Sequence, residues 1–220
     1  MRLILIRHAQ SANNALPEEQ RIEDPAITEL GHRQAAALAV WLESAGIDHL
    51  IASPFRRSLE TSEHIRRRLS VEAHVWVDLH EQGGCYAGYE PHRYEGRPGL
   101  SQTQITAEFP GYQIEAVIDE RGWWKCQPYE TEEQTSARAA RLLLRTLDQF
   151  GTHDQSVAYV MHADFKRKFL EKLFPRSEPP VSIWQSIYNT AVTIVEFQPD
   201  AARLDVYNSV AHLSPDMLSS

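Results

Sequence analysis

Apolar runs alternate along the chain with segments of helical period, and that order predicts an α/β fold. Leu3-Ile4-Leu5-Ile6 is a run of four apolar residues, as expected of a strand buried on both faces within a parallel sheet. A polar loop follows from Asn13 to Pro25. Thr28 then stands as the N-cap of a helix through Gln34, Leu38, Val40 and Leu42, ended by Gly46. Leu50-Ile51-Ala52 predicts a second short strand, Ser53-Pro54 the start of a helix reaching about Leu69, and Ala73 to Val77 a third strand. Glu132 to Phe150 carries apolar residues on one helical face, and Val157 to Met161 is another buried strand. A helix from Ala163 to Phe174 is stopped by Pro175. Ala191 to Phe197 and Leu204 to Tyr207 are late strands, turning at Pro199-Asp200.

Residues 83 to about 130 break this rhythm. Gly83, Gly84, Gly88, Gly96, Gly99, Pro98 and Pro110 fall here, with Tyr86, Tyr89, Tyr94, Trp123, Trp124 and Tyr129 among them. A loop-rich, aromatic insertion of this length is read as a lid or pocket wall within one domain spanning 1–220.

Composition narrows the class without naming a function. The 220 residues are 42% hydrophobic and 24% charged, ordinary values for a globular protein with room for a full core. A net charge of −8 argues against nucleic acid as a partner. Apolar runs fall well short of the roughly 18 residues that span a bilayer, and Met1–Ile6 is too short for a signal peptide. A cytoplasmic protein without a membrane partner is expected, and a homodimer stays open. Cys85 and Cys126 lack CxxC spacing, so no disulfide framework or zinc site follows from them.

The chemistry gathers at strand ends. His8 follows the first strand and His162 the Val157–Met161 strand, and ligands of open α/β sheets bind beyond such carboxyl ends. Arg7 precedes His8, Arg56 and Arg57 open the helix after the second strand, and Glu81 follows the third strand. Two histidines, arginine and a carboxyl group at strand ends make a pocket for a phosphoryl group. Arg66-Arg67-Arg68 is read as a solvated helix face. The histidines show no HxxxH spacing, so no metal site is expected, and no cofactor is assigned.

These residues, taken in order, resemble the histidine phosphatase superfamily with its phosphoglycerate-mutase-like fold. Arg7-His8-Ala9-Gln10-Ser11, with Asn14, is similar to the family's RHG motif. Ile27-Thr28-x-x-Gly31-x-x-Gln34-Ala35 resembles its first-helix signature, and Ser53-Pro54-Phe55-x-Arg57-x-x-x-Thr61 its S-x-L-x-R-A-x-x-T segment. Leu79-His80-Glu81 matches the segment carrying the acid, Met161-His162-Ala163 the second histidine, and Asn208 to Leu213 the closing N-D-x-A-H-L. Ala9 and Ala163 depart from the pattern, each standing where the family usually has glycine.

The resemblance implies a three-layer α/β/α sandwich over a mostly parallel sheet and a metal-independent phosphomonoesterase acting on a small-molecule phosphate ester. It implies His8 as nucleophile, forming a phosphohistidine, and Glu81 as general acid and then base. Arg7, Arg57 and His162 would hold the phosphate, joined by Ser11, Asn14 and the Ala163 backbone. A neutral imidazole offers its lone pair to phosphorus, planar guanidinium forks match phosphate oxygens, and a carboxyl group can protonate the departing alkoxide. His212 is expected to bond within the C-terminal segment; His92 and Arg93 in the insertion are candidates for setting specificity. A phosphoglycerate mutase is the alternative, disfavoured because the region after Glu81 lacks the Tyr-Gly-x-Leu-x-Gly segment and paired arginines of cofactor-dependent mutases. A noncatalytic phosphate-binding module is the alternative of another class; it would need neither nucleophile nor acid.

Overall fold

Along the first strand, β1 (Arg2–Arg7), the side chains alternate between two cores. Ile4 and Ile6 pack with one buried cluster, and Leu3 and Leu5 with another on the opposite face. In the computed structural model, residues 1–90, 93–151, 154–175, 186–198 and 201–220 are described. After β1 come α1 (Ala12–Ala15), α2 (Glu29–Trp41), β2 (His49–Ala52), α3 (Arg56–Leu69) and β3 (Ala73–Val75). The insertion contributes β4 (Tyr86–Ala87), β5 (Glu95–Gly96), α4 (Gln102–Glu108) and β6 (Tyr112–Ile114). Then follow α5 (Glu132–Phe150), β7 (Ser156–Met161), α6 (Ala163–Leu173), β8 (Val192–Phe197) and β9 (Ala202–Ser209).

Seven strands form one sheet in the order β6-β3-β2-β7-β1-β8-β9. β6, β3, β2, β7 and β1 pair in parallel, and β8 and β9 add antiparallel neighbours at one edge. On one face, Leu38 and Leu42 at the α2 end and Leu59 and Ile65 of α3 close over Ile4, Ile6, Leu50 and Val160. On the other, Leu142 of α5 and Phe165, Phe169 and Leu170 of α6 cover Leu3, Leu5, Val157 and Tyr159. This is the expected three-layer, mostly parallel α/β/α sandwich.

Local signals set the helix ends that matter for the site. Thr28 caps α2 as expected, its Oγ1 accepting the Gly31 N–H at 3.0 Å. Thr131 and Gln134 form a capping box that fixes the start of α5: each backbone N–H is held by the other's side chain, at 2.8 and 3.3 Å. Two short elements differ from the expectation. The Asn13–Pro25 loop begins within the single-turn α1, and the third strand ends at Val75 because Val77 turns into a 3-10 segment. The insertion is also more than a cover. Its β6 pairs with β3 at the sheet edge, and Ile105, Phe109, Trp123 and Trp124 are buried in the core. The turn expected at Pro199-Asp200 lies outside the described residues.

Candidate active site

β1, β7 and β2 are neighbours in the sheet, so His8, His162 and Ser53 emerge side by side at their carboxyl ends. The two imidazoles lie with ring centroids 5.0 Å apart, and both are buried. The loop leaving His8 is fastened by the α2 signature. Gln34 accepts the Gln10 N–H at 2.9 Å through Oε1 and donates from Nε2 to the Met217 carbonyl at 2.7 Å. Gly31 faces the Gln10 carbonyl so closely that a Cβ would sit 2.2 Å from that oxygen, so this approach requires glycine.

His8 is held as a neutral base. Its Nδ1 donates to the Ala9 carbonyl at 2.7 Å, which fixes the proton there and leaves the lone pair on Nε2. Arg57 donates from Nε to that Nε2 at 3.2 Å. Burial, then Arg57 and Arg7, hold the imidazole well below its ordinary pKa. Thr61 ties nucleophile to clamp: it accepts the Ala9 N–H at 2.9 Å and donates to the Arg57 carbonyl at 2.6 Å. Arg7 donates to the Ile187 carbonyl, and its Nε is buried with no partner among the described residues. Burial brings Arg7 down to about 10 and also lowers Arg57. Asp24 stands behind Arg57, with Oδ1 at 4.0 Å from Nη1 and accepting the Arg56 N–H at 2.9 Å. Burial raises this carboxyl to about 7 against the pull of Arg57, and its Oδ2 has no partner among the described residues. Two guanidinium groups thus face a neutral imidazole, with the incompletely ionised Asp24 carboxyl behind Arg57, an environment that favours an anion.

His162 is oriented from β2 and α3. Its Nε2 meets Ser53 Oγ at 2.8 Å and Ser58 Oγ at 3.3 Å, while Nδ1 has no partner among the described residues. Burial and Arg57 hold its pKa well below the ordinary value. Glu81 lies across the first turn of α6: Oε1 accepts the N–H groups of Phe165 at 2.8 Å and Gln82 at 2.9 Å, and Oε2 that of Asp164 at 3.3 Å. Gly84 follows at φ +78°, where a Cβ would strike the Trp124 ring at 2.3 Å. Glu81 and Arg57 line an open cleft of about 150 Å³, walled by Gln82, by Tyr86, Tyr89 and Tyr94 from the insertion, and by Glu18 and Arg21 opposite.

The structure brings together Arg7, His8, Arg57, Glu81 and His162. Ser11 and Asn14 shape the loop beside them: Asn14 Oδ1 accepts from Ser11 N–H and Oγ, both at 3.1 Å, and from Asn189 Nδ2 at 3.3 Å. The Nδ2 of Asn14 is then the end suited to a ligand. Ala163 is the first residue of α6, and neither it nor Ala9 has a positive φ, so alanine fits both positions without strain. Arg56 pairs with Glu108, Arg66 and Arg67 with Glu63, and Arg68 with Glu43, all apart from the site. His212 meets Thr190 Oγ1 at 2.9 Å, a bond within the C-terminal part of the chain. Arg93 pairs with Glu90 and does not line the cleft, and His92 lies outside the described residues. Asp24 and Ser58 are supporting residues that the sequence pattern did not single out. Ser53 and Thr61 stood in the Ser53–Thr61 segment without a role of their own; for Thr61, four residues after Arg57 on α3, the spacing that returns a hydroxyl to the helix carbonyl was the usable signal.

Comparison with known proteins follows the same lines. The model for the histidine phosphatase superfamily (branch 1) matches residues 3–210. A glucosyl-3-phosphoglycerate phosphatase of Mycobacterium tuberculosis is 26% identical over 99% of this chain and 98% of its own length. Phosphoserine phosphatase 1 of Hydrogenobacter thermophilus is 35% identical over 79% of this chain and 92% of its own. Among solved structures, phosphoserine phosphatase from Entamoeba histolytica in complex with 3-phosphoglyceric acid superposes with a TM-score of 0.67 at 23% identity. That likeness covers 97% of this chain and 99% of the other, and it speaks to the fold.

Proposed function

The chain belongs to the histidine phosphatase superfamily as a phosphomonoesterase, and on that premise we propose that hydrolysis runs through a phosphohistidine at His8. The observation that carries this reading is the tautomer of His8. With Nδ1–H committed to the Ala9 carbonyl, Nε2 presents its lone pair beside the Arg57 guanidinium. An incoming phosphate group takes the Arg57 and Arg7 donors onto its oxygens, which frees Nε2 to attack phosphorus in line. A new N–P bond forms as the ester P–O bond breaks, and the electron pair of that bond leaves with the alcohol oxygen. Glu81 gives the departing alkoxide its proton and then takes one from water. Attack of that water on phosphorus cleaves the N–P bond, frees inorganic phosphate and restores neutral His8.

His162 completes the clamp. Ser53 and Ser58 occupy Nε2, so Nδ1 is the atom free to bond a phosphate oxygen. The dianion offsets the burial and the Arg57 charge that keep this imidazole neutral in the empty site, so it holds a proton while phosphate is bound. The alcohol part of the ester rests against Tyr86, Tyr89 and Tyr94, which suits a small hydroxylated metabolite. The relatives named for glucosyl-3-phosphoglycerate and phosphoserine support that class of substrate.

The stereochemical course at phosphorus tests the pathway. Two in-line displacements through a phosphoenzyme give net retention when a chiral, isotope-labelled phosphate ester is hydrolysed. Net inversion means direct attack by water and defeats the reading. A mutase instead converts 3- to 2-phosphoglycerate with a bisphosphoglycerate primer, and the same preparation should show little of that turnover.

A further inference from the structure

Arg138 of α5 is a buried cation that the chemistry above does not use. Its Nη1 donates to the carbonyls of Asp78 at 2.7 Å and His80 at 2.9 Å, in the turn leading into Glu81. Its Nε and Nη2 donate to the two carboxylate oxygens of Glu130 at 2.8 and 2.6 Å. Glu130 in turn donates its backbone N–H to the Gly83 carbonyl at 3.1 Å, just beyond Glu81. The Arg138 guanidinium also lies 3.7 Å from the Phe165 ring centroid, and Phe165 supplies the 2.8 Å N–H bond to Glu81 Oε1. One ion pair therefore grips the segment carrying Glu81 on both sides and packs against the residue that holds its carboxyl group.

Both members are almost fully buried, with side-chain exposures of 3% and 8%. A buried ion pair is a weak source of stability, because desolvation offsets most of its attraction. What this pair does here is tie the Asp78 and His80 carbonyls to Glu130 in one arrangement. His80 adds to the same anchorage, its Nδ1 donating to the Glu81 carbonyl at 2.8 Å while its ring packs between Trp123 and Trp124.

We propose that the Arg138–Glu130 pair positions the Glu81 carboxyl group on the leaving-group side of the site. The pair thereby sets the rate for esters whose alcohol must be protonated as it departs. This rests on the reading of Glu81 as proton donor, and the test separates the two. Arg138→Lys keeps the charge but cannot span Glu130 and both carbonyls. The quantity to follow is kcat/KM, which reports only steps through formation of the phosphoenzyme. It is measured for p-nitrophenyl phosphate, whose phenolate leaves unaided, and for the best alkyl phosphate from a metabolite panel, with melting curves confirming folded protein. The alkyl ester should lose about tenfold or more, within the range general acids supply, while the aryl ester stays within about threefold. Equal loss on both esters, or loss on neither, overturns the proposal. Glu130→Gln is the second variant if Arg138→Lys fails to fold, and it is read in the same way. Glu81→Gln is the reference. If it penalises both esters equally, the proton-donor reading fails; if it discriminates and Arg138→Lys does not, the positioning role fails.

Discussion

Replacing Asp24 with asparagine should change how stability depends on pH. The carboxyl group is buried behind Arg57, with one oxygen on the Arg56 N–H at 2.9 Å and the other without a partner among the described residues. Burial raises it from 3.8 to about 7. The folded protein therefore keeps this proton between pH 3.8 and about 7, while the unfolded chain has released it. Stability from this group is fully present below the unfolded value and declines as pH rises through that window. The gap corresponds to about 4 kcal/mol, at ~1.4 kcal/mol per tenfold change. Asparagine reproduces the protonated form: it has the same charge and can still accept the Arg56 N–H. At pH 4 the two folded proteins carry the same charge here and the unfolded wild type is only partly ionised, so the difference there reports mainly the amide's fit. From pH 4 to 8 the wild type should fall relative to Asp24→Asn by a few kcal/mol. Buried His8, His80 and His162 titrate in both proteins and drop out of the difference. Urea midpoints and m-values taken at half-unit pH intervals give the curve. A difference that stays constant across that range refutes the assignment of Asp24 as a carboxyl group forced neutral by burial.

Three further substitutions, one of them paired with a control elsewhere, test the supports around the nucleophile. Thr61→Val strips the Ala9 N–H of its acceptor and should cost about 1–3 kcal/mol in denaturant stability, with kcat falling as His8 loosens. Gly31→Ala drives a Cβ into the Gln10 carbonyl and should cost about 1–3 kcal/mol, read by thermal unfolding, while Gly46→Ala tests the left-handed position alone because no atom lies near its Cβ. Ser53→Ala leaves His162 Nε2 with the longer Ser58 contact and should lower kcat/KM about tenfold, with weaker inhibition by inorganic phosphate.

The long regular elements, and the convergence of the five candidate site residues, were legible because most of them follow a strong local pattern. Buried strands are apolar runs, and His8 and His162 stand directly after two of them. Thr28 and the boundaries of α5 followed from capping chemistry and helical period. Some supporting residues left no such mark. Asp24 reaches Arg57 from a distant loop, and Arg138 reaches Asp78 and His80 across 60 and 58 positions, so neither contact has a period to betray it. β6 is three residues long, too short for alternation to be read, and its place at the sheet edge depends on pairing with β3. The insertion's tryptophans suggested a cover. They are buried instead because Trp123 packs edge-on against Phe55, and Trp124 against His80.

The central claim is covalent: the phosphoryl group passes through Nε2 of His8. Enzyme mixed with labelled p-nitrophenyl phosphate and quenched within milliseconds in alkaline denaturant should carry label that is stable to base and lost in acid. Digestion should place that label on the peptide containing His8, and His8→Asn should show neither label nor turnover. Label on another residue, or turnover that survives in His8→Asn, would contradict the account.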